Sequence, residues 1–252
     1  MLYAVHTDIG NVKKVNQDSA VIKKASTEKG EIMFAAVCDG MGGLRNGEIA
    51  SAEVAEALSE WFTAQLPLLV SEGITSERLK ESLNDVILAQ DEKISAFSRK
   101  CGDCGTTLAG IFLCGGRYMC VNVGDSRIYM IRGGQMRLLT HDQTVVQRMI
   151  DSGEITKEQA LTHKMRSVLL QCIGVEGDVV PDYTEGTYEK GDTFLVCSDG
   201  FVHKVREEEL PGFFPAQEMR NEKRMRRAAV IAVEENMKRG ERDNITVVVL
   251  RT

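Results

Sequence analysis

Four aspartates stand at the ends of four short apolar runs. Asp39 follows FAAVC and precedes Gly40, Asp125 follows YMCVNVG, Asp199 follows TFLVCS and precedes Gly200, and Asp243 opens DNITVVVL. A run of four to eight apolar, β-branched-rich residues reads as a buried strand. If these strands are neighbours in one sheet system, their ends converge and four carboxylates share one small volume. Like charges that close repel and raise each other's pKa. Hard divalent cations, which prefer oxygen ligands, are the usual compensation. The pattern therefore predicts a magnesium or manganese site with at least two ions. A carboxylate such as Asp39 can bridge two cations, and the glycine beside it, Gly40, lets a backbone carbonyl approach a metal.

Each aspartate has a plainer reading when taken singly. Asp-Gly is common in type I′ turns. Asp125, in Gly124-Asp125-Ser126-Arg127, fits a hairpin turn with a solvated Asp-Arg pair. Asp243 fits a polar start to a strand. The joint pattern carries the chemistry. Near the N-terminus Asp8, Lys13, Lys14 and Asp18 flank a glycine-containing turn. A lysine beside a dinuclear site is a natural phosphate clamp, acting as a point charge; the alternative is a solvated turn. His6, His141, His163 and His203 have no partner at zinc-ligand spacing, and Cys101-x-x-Cys104 is a single pair, a weak signal for zinc.

The elements that would position these groups follow from periodicity. Residues 2–8, 19–23, 32–38, 106–113, 117–123, 127–131, 193–197 and 244–250 read as strands, with turns at Gly115-Gly116 and Gly133-Gly134. Ile49, Val54, Leu58, Trp61, Phe62 and Leu66 recur near a 3.6 period and predict a helix over 47–66. Thr75 or Ser76 caps a second helix, and a third runs over 217–238. Residues 144–173 mix short helical patches with polar stretches and break at Ser152-Gly153. Helices and strands do not alternate one for one, so the prediction is an α+β protein of mainly antiparallel sheets covered by helices.

The 252 residues suit one large domain or at most two small ones. A net charge of −6 argues against nucleic acid or an anionic membrane as main partner and fits a protein that holds cations. Seven cysteines is an odd number, and several lie within apolar runs, as reduced thiols do in a reducing cytosol. The first ten residues lack the basic and apolar regions of a signal peptide, and no segment approaches 18 uninterrupted apolar residues. The expectation is a cytoplasmic protein with no membrane partner.

The chain resembles the metal-dependent protein serine/threonine phosphatases of the protein phosphatase 2C family in their compact bacterial form. The matching pieces fall in the family's order over nearly the whole chain: Thr7-Asp8-x-Gly10 with Asn16-x-Asp18, Asp39-Gly40-Met41-Gly42-Gly43, Gly105-Thr106-Thr107, Val123-Gly124-Asp125-Ser126-Arg127, Leu139-Thr140-x-Asp142, Gly153-x-Ile155-Thr156 through Ala160, Ser198-Asp199-Gly200 and Asp243-Asn244-Ile245-Thr246. The resemblance implies one catalytic domain over 1–252. Its fold would be a four-layer α/β/β/α sandwich, with metals at one end and a mobile flap at about 145–175. It implies that Asp39 bridges two metals, that the Gly40 carbonyl serves the second, and that Asp199 and Asp243 complete the first. Asp125 with Asp199 would hold a third, weaker ion, Asp18 would order waters around the second, and Lys13 would grip the substrate phosphate. The implied substrates are phosphorylated proteins made by a cognate serine/threonine kinase, attacked by a metal-activated water, with Mn2+ or Mg2+ as cofactor and a monomeric enzyme. The chain departs from the family's usual residues at Lys13 (arginine), Gln17 (glutamate), Gln143 (histidine) and Met41 (histidine in animal members). Two other readings stay open: a non-catalytic phosphopeptide-binding member, and a phosphoesterase acting on small molecules.

Overall fold

The structure, a computed structural model, describes residues 1–28, 30–41, 46–175 and 177–252. Among the described residues, ten strands build two five-stranded sheets, and their pairings are antiparallel. The first sheet orders β1 (Leu2–Asp8), β10 (Ile245–Arg251), β9 (Thr193–Cys197), β6 (Arg127–Arg132) and β7 (Gln135–Leu138). The second orders β2 (Asp18–Thr27), β3 (Gly30–Asp39), β4 (Leu108–Cys114), β5 (Arg117–Val123) and β8 (Asp182–Thr187).

The two-residue period of a strand decides which side chain enters which layer. Met33, Ala35, Val37, Ala109, Ile111, Cys120, Ile128, Phe194, Val196 and Val248 fill the space between the sheets. The alternate residues of the second sheet, Ile32, Phe34, Ala36 and Cys38, meet α1 (Gly47–Glu72) and α2 (Ser76–Cys101) through Val54, Leu58, Trp61, Phe62 and Leu83. The Trp61 and Phe34 rings meet edge to face at 5.3 Å, a geometry favoured by the ring quadrupoles. The outer face of the first sheet, including Leu195, Cys197, Val247 and Val249, packs on Met225, Ala228, Ala229, Ala232 and Val233 of α6 (Glu222–Lys238). The result is the α/β/β/α layering expected from the resemblance.

Several boundaries differ from the sequence reading. α1 runs on to Glu72, through Pro67. A proline inside a helix costs about 3 kcal/mol, but burial of Leu66 and Leu69 on either side offsets it. The helix expected over 217–238 is split: Glu218–Arg220 is a 3-10 turn, and Asn221, whose side chain accepts from Arg224 N–H, caps α6. Thr75 caps α2 by accepting from Arg78 N–H at 3.3 Å. In 144–173, α3 (Val145–Asp151) and α4 (Lys157–Ala160) form, the latter with a capping box between Thr156 and Gln159. A further short helix, α5 (Leu210–Phe213), packs near α6. Residues 42–45, part of the glycine-rich stretch after Asp39, lie outside the described residues.

Candidate metal centre

At one end of the sandwich the inter-sheet filling turns from apolar to polar. The rows that carry Val37, Val196 and Val248 continue, two residues on along β3 and β9 or two back along β10, into Asp39, Ser198 and Thr246. Asp18 and Asp39 are direct cross-strand partners at the ends of β2 and β3. Like charges placed opposite each other destabilise a sheet pair, so this register demands a counter-charge. Ser198 ties the sheets together: its Oγ donates to Asp18 Oδ2 at 2.8 Å and accepts from Thr246 N–H at 3.0 Å. Asp18 Oδ1 is buried and has no hydrogen-bond partner.

Asp39 is fixed by the strand opposite. Its N–H donates to Thr107 Oγ1 at 3.0 Å, and its carbonyl accepts from Thr107 N–H and Thr106 Oγ1, each at 2.9 Å. Thr107 Oγ1 in turn lies 2.7 Å from Ser126 Oγ, next to Asp125. Gly40 N–H donates to the Gln17 carbonyl at 3.0 Å. A Cβ on Gly40 would strike the Gly47 carbonyl oxygen and sit 2.7 Å from the Gln17 carbonyl oxygen. The sequence reading linked this glycine to metal approach; the structure adds that the crowding of three backbone segments requires it.

The carboxylates feel one another strongly. Burial, then the charges of Asp18, Asp199, Asp125 and Asp243, push Asp39 well above the usual carboxylate range. Burial and Asp199 push Asp125 up to about 8, against the pull of Arg127 and His203. Burial, helped by Asp199 and Asp243 and opposed by hydroxyl hydrogen bonds from Thr246 and Ser198, raises Asp18 to about 6. Asp199 goes the other way: burial raises it, but His203 and a hydrogen bond from Asp39 hold it below the usual value. Two basic side chains already lean on the cluster. Lys13 Nζ lies 2.7 Å from Asp243 Oδ1. His203 bridges Asp199 Oδ2 at 3.1 Å and Glu241 Oε2 at 3.3 Å. Burial lowers the His203 pKa, yet these two carboxylates raise it to about 10.

Asp39, Asp125, Asp199 and Asp243, read from the sequence as a group, are thus brought together with Asp18 into one electrostatic unit. Among the described residues, no three His, Cys, Asp or Glu side chains are gathered closely enough to hold an ion as they stand. Like-charged carboxylates relieve their repulsion by raising one another's pKa and by recruiting neighbouring cations; the crowding raises Asp39, and Lys13 pairs with Asp243. The fit to divalent cations rests on that donor set: hard oxygen ligands, an orphaned buried carboxylate oxygen on Asp18, and a surplus of negative charge.

The departures from the family's usual residues have local roles. Gln17 Nε2 donates to Glu48 Oε2 at 3.3 Å, where a glutamate would face a like charge. Gln143 uses both ends of its amide: Oε1 accepts from Gly124 N–H at 2.8 Å, and Nε2 donates to Asp182 Oδ2 at 3.0 Å. It thereby fixes the turn that carries Asp125. Met41 N–H donates to the Gly105 carbonyl at 3.1 Å. Lys13, expected to face a phosphate, is paired with Asp243.

Sequence reasoning missed the roles of His203 and Glu241 and the clamping role of Asn244. The signals were there: His203 lies four residues after Asp199, and Glu241 two before Asp243. Glu241 Oε1 accepts from the N–H groups of Arg242 and Asp243, presetting that turn. Asn244 accepts from Gln17 N–H at 2.9 Å and donates to the carbonyls of Ile9 and Val15. It clamps the loop that carries Lys13 against the centre.

Comparisons with known proteins point to one family. The family model described as Protein phosphatase 2C matches residues 10–237. The serine/threonine phosphatase stp of Listeria innocua is 32% identical over 247 residues, covering 97% of this chain and 93% of that protein. The structure of the S. agalactiae serine/threonine phosphatase superposes with a TM-score of 0.83 at 28% identity, covering 98% of this chain and 97% of that one. The catalytic domain of the serine threonine protein phosphatase PstP in complex with two manganese ions superposes with a TM-score of 0.76 at 31% identity, over 98% and 96% of the two chains. On this matched length and identity, the chain belongs to the protein phosphatase 2C family.

Proposed function

We propose that this chain is a metal-dependent protein serine/threonine phosphatase that hydrolyses phosphoserine and phosphothreonine in proteins. The observation that carries the reading is the crowding of charge at the end of the sandwich, where Asp18 and Asp39 face each other across β2 and β3 and burial with the neighbouring Asp199, Asp125 and Asp243 raises the Asp39 carboxyl. Asp39 and the Gly40 carbonyl, with Asp199 and Asp243, would hold two Mn2+ or Mg2+ ions, and Asp125 with Asp199 a weaker third. Bound there, such ions supply Lewis-acid activation of water and neutralise charge on the phosphoryl oxygens. The relatives' names and the two manganese ions bound by PstP support that assignment.

The chain's own residues do the rest. Thr106 and Thr107 hold the Asp39 backbone so that its carboxylate faces the inter-sheet mouth. Ser198 fixes one Asp18 oxygen and leaves the other, buried and without a partner, as an acceptor for an ordered water. Lys13 now pairs with Asp243; with that carboxylate given over to a cation, its ammonium would be free for the substrate phosphate. The segment at about 145–175 acts as a flap: its far end is tied to the centre where Ile173 pairs with Thr106 and Leu170 N–H donates to the Gln143 carbonyl. No described helix is long and apolar enough to cross a membrane, and Cys38, Cys120 and Cys197 are buried thiols; a monomer in a reducing cytoplasm, opposing a serine/threonine kinase, fits both.

The test is hydrolysis of a phosphothreonine peptide by purified protein with manganese. Turnover should require the ion and vanish in Asp199→Asn; an Asp199→Asn protein with wild-type turnover sinks the assignment. Comparing the peptide with small phosphate esters separates a protein phosphatase from a small-molecule phosphoesterase. Tight peptide binding with no turnover identifies a binding module.

A further inference from the structure

The Cys101-x-x-Cys104 pair lies outside the carboxylate centre, and the proposed reaction uses neither thiol. Cys101 is the last residue of α2 and is exposed, whereas Cys104 is fully buried. Between them the chain reverses at Gly102, whose φ of 99° suits glycine. Two bonds fold the turn back on the helix: Gly102 N–H donates to the Ser98 carbonyl at 3.0 Å, and Cys104 N–H donates to Ser98 Oγ at 3.1 Å. Ser98 and Cys101 are three residues apart on α2, so their side chains neighbour each other on one helix face. The reversal thus brings the Cys104 backbone back onto the last turn of α2, the turn that ends in Cys101. Burial raises the Cys104 thiol pKa, and the nearby Cys101 adds to that.

The residues that follow Cys104 are those that hold Asp39. The Gly105 carbonyl accepts from Met41 N–H, and Thr106 and Thr107 make the three bonds to the Asp39 backbone. A Cβ on Gly105 would collide with Met41 Cε, so the turn and the metal-binding strand end fit together with no slack. Cys104 also packs in the core beneath α1 and α2. That role alone requires no second cysteine at the exposed end of the same turn.

We propose that Cys101 and Cys104 form a reversible disulfide, a modification site that alters the strand end holding Asp39 and slows turnover. Cys101, the accessible thiol, attacks a low-molecular-weight disulfide as the thiolate and expels one thiolate, giving a mixed disulfide. Cys104 gives up its proton and attacks the Cys101 sulfur, expelling the second thiol. The protein dithiol loses two electrons and two protons, and the small disulfide becomes two thiols. Closing the bridge draws the sulfurs to about 2 Å, and the displacement passes to Gly105 and Thr106 because the turn is short.

The experiment treats the full chain with oxidised glutathione, digests it without reduction and weighs the peptides. The expected product is a peptide holding Cys101 and Cys104, lighter by two hydrogens and restored by dithiothreitol. Manganese-dependent turnover should fall roughly tenfold or more in step, as expected for a displaced catalytic group, and recover on reduction. C101S, exposed and outside the catalytic machinery, should keep basal turnover and lose the sensitivity. C104A should stop at a glutathione adduct on Cys101. A glutathione adduct as the end product in the unaltered chain overturns the proposal, as does an undiminished sensitivity of C101S. A bridge that forms without changing turnover overturns the coupling to Asp39. The mass measurement is independent of whether the chain is a phosphatase.

Discussion

Asp125→Asn should stabilise the metal-free protein, and by an amount that grows with pH. Burial and Asp199 hold the Asp125 pKa at about 8 in the folded state, against roughly 3.9 unfolded. The sign follows from linkage. Between those values the folded protein binds a proton that the unfolded chain releases, so stability falls as pH rises from about 4 toward 8. For one proton the slope is about 1.4 kcal/mol per pH unit, which gives an upper bound of about 4 kcal/mol at pH 7. Asp125 is partly open to solvent, and screening and relaxation reduce this to about 2 kcal/mol. For a chain of this size that is about 4–8 °C in Tm. Asparagine has nearly the same shape and no charge, so the variant should match the unaltered protein near pH 4 and exceed it increasingly above. Thermal melts in chelator across pH 4–8 measure this. Parallel pH profiles for the two proteins, or a variant that melts lower at pH 8, would refute the picture of a charge-frustrated centre. Adding manganese should raise the Tm of the unaltered protein more than that of the variant.

Lys13→Ala should raise KM for a phosphopeptide about tenfold with little change in kcat, because it removes phosphate binding more than activation; a loss confined to kcat contradicts its role. Gly40→Ala forces a methyl into the Gly47 and Gln17 carbonyls. It should cost about 3 kcal/mol or more, read as a fall in the urea midpoint, and an unchanged midpoint is the failing result. Asn244→Ala leaves Gln17 N–H and two loop carbonyls without their partner. It should cost about 2–3 kcal/mol and accelerate hydrogen exchange in residues 9–17; exchange rates equal to those of the unaltered chain would remove its clamp role.

The parts of the fold legible in the sequence are those where burial is one-sided or complete. The strand 117–123 and the start of α2 at Thr75 emerge as read, because Tyr118–Val123 are all buried and the cap is a local hydrogen bond. β8 was not read: Asp-Tyr-Thr-Glu-Gly-Thr is mostly exposed and is a strand only because β5 offers it an edge. β7 likewise forms as a short, largely exposed hairpin arm of β6. The same logic holds for the site. Asp39, Asp125, Asp199 and Asp243 could be found because each marks the end of a buried run. His203 and Glu241 carry no such mark: only their spacing from Asp199 and Asp243 points to them, and their pairing is made by tertiary contact between the turn after β9 and the turn before β10. Nor does the sequence show that Lys13 meets Asp243, a contact set by the Asn244 clamp on its loop.

The most direct test is a crystal of this protein grown with manganese, with anomalous density mapped at the end of the sandwich. The prediction is two peaks sharing Asp39, one also held by Asp199 and Asp243 and the other by the Gly40 carbonyl, with Lys13 withdrawn from Asp243. A map in which manganese leaves these aspartates bare, and Lys13 still on Asp243, would contradict it.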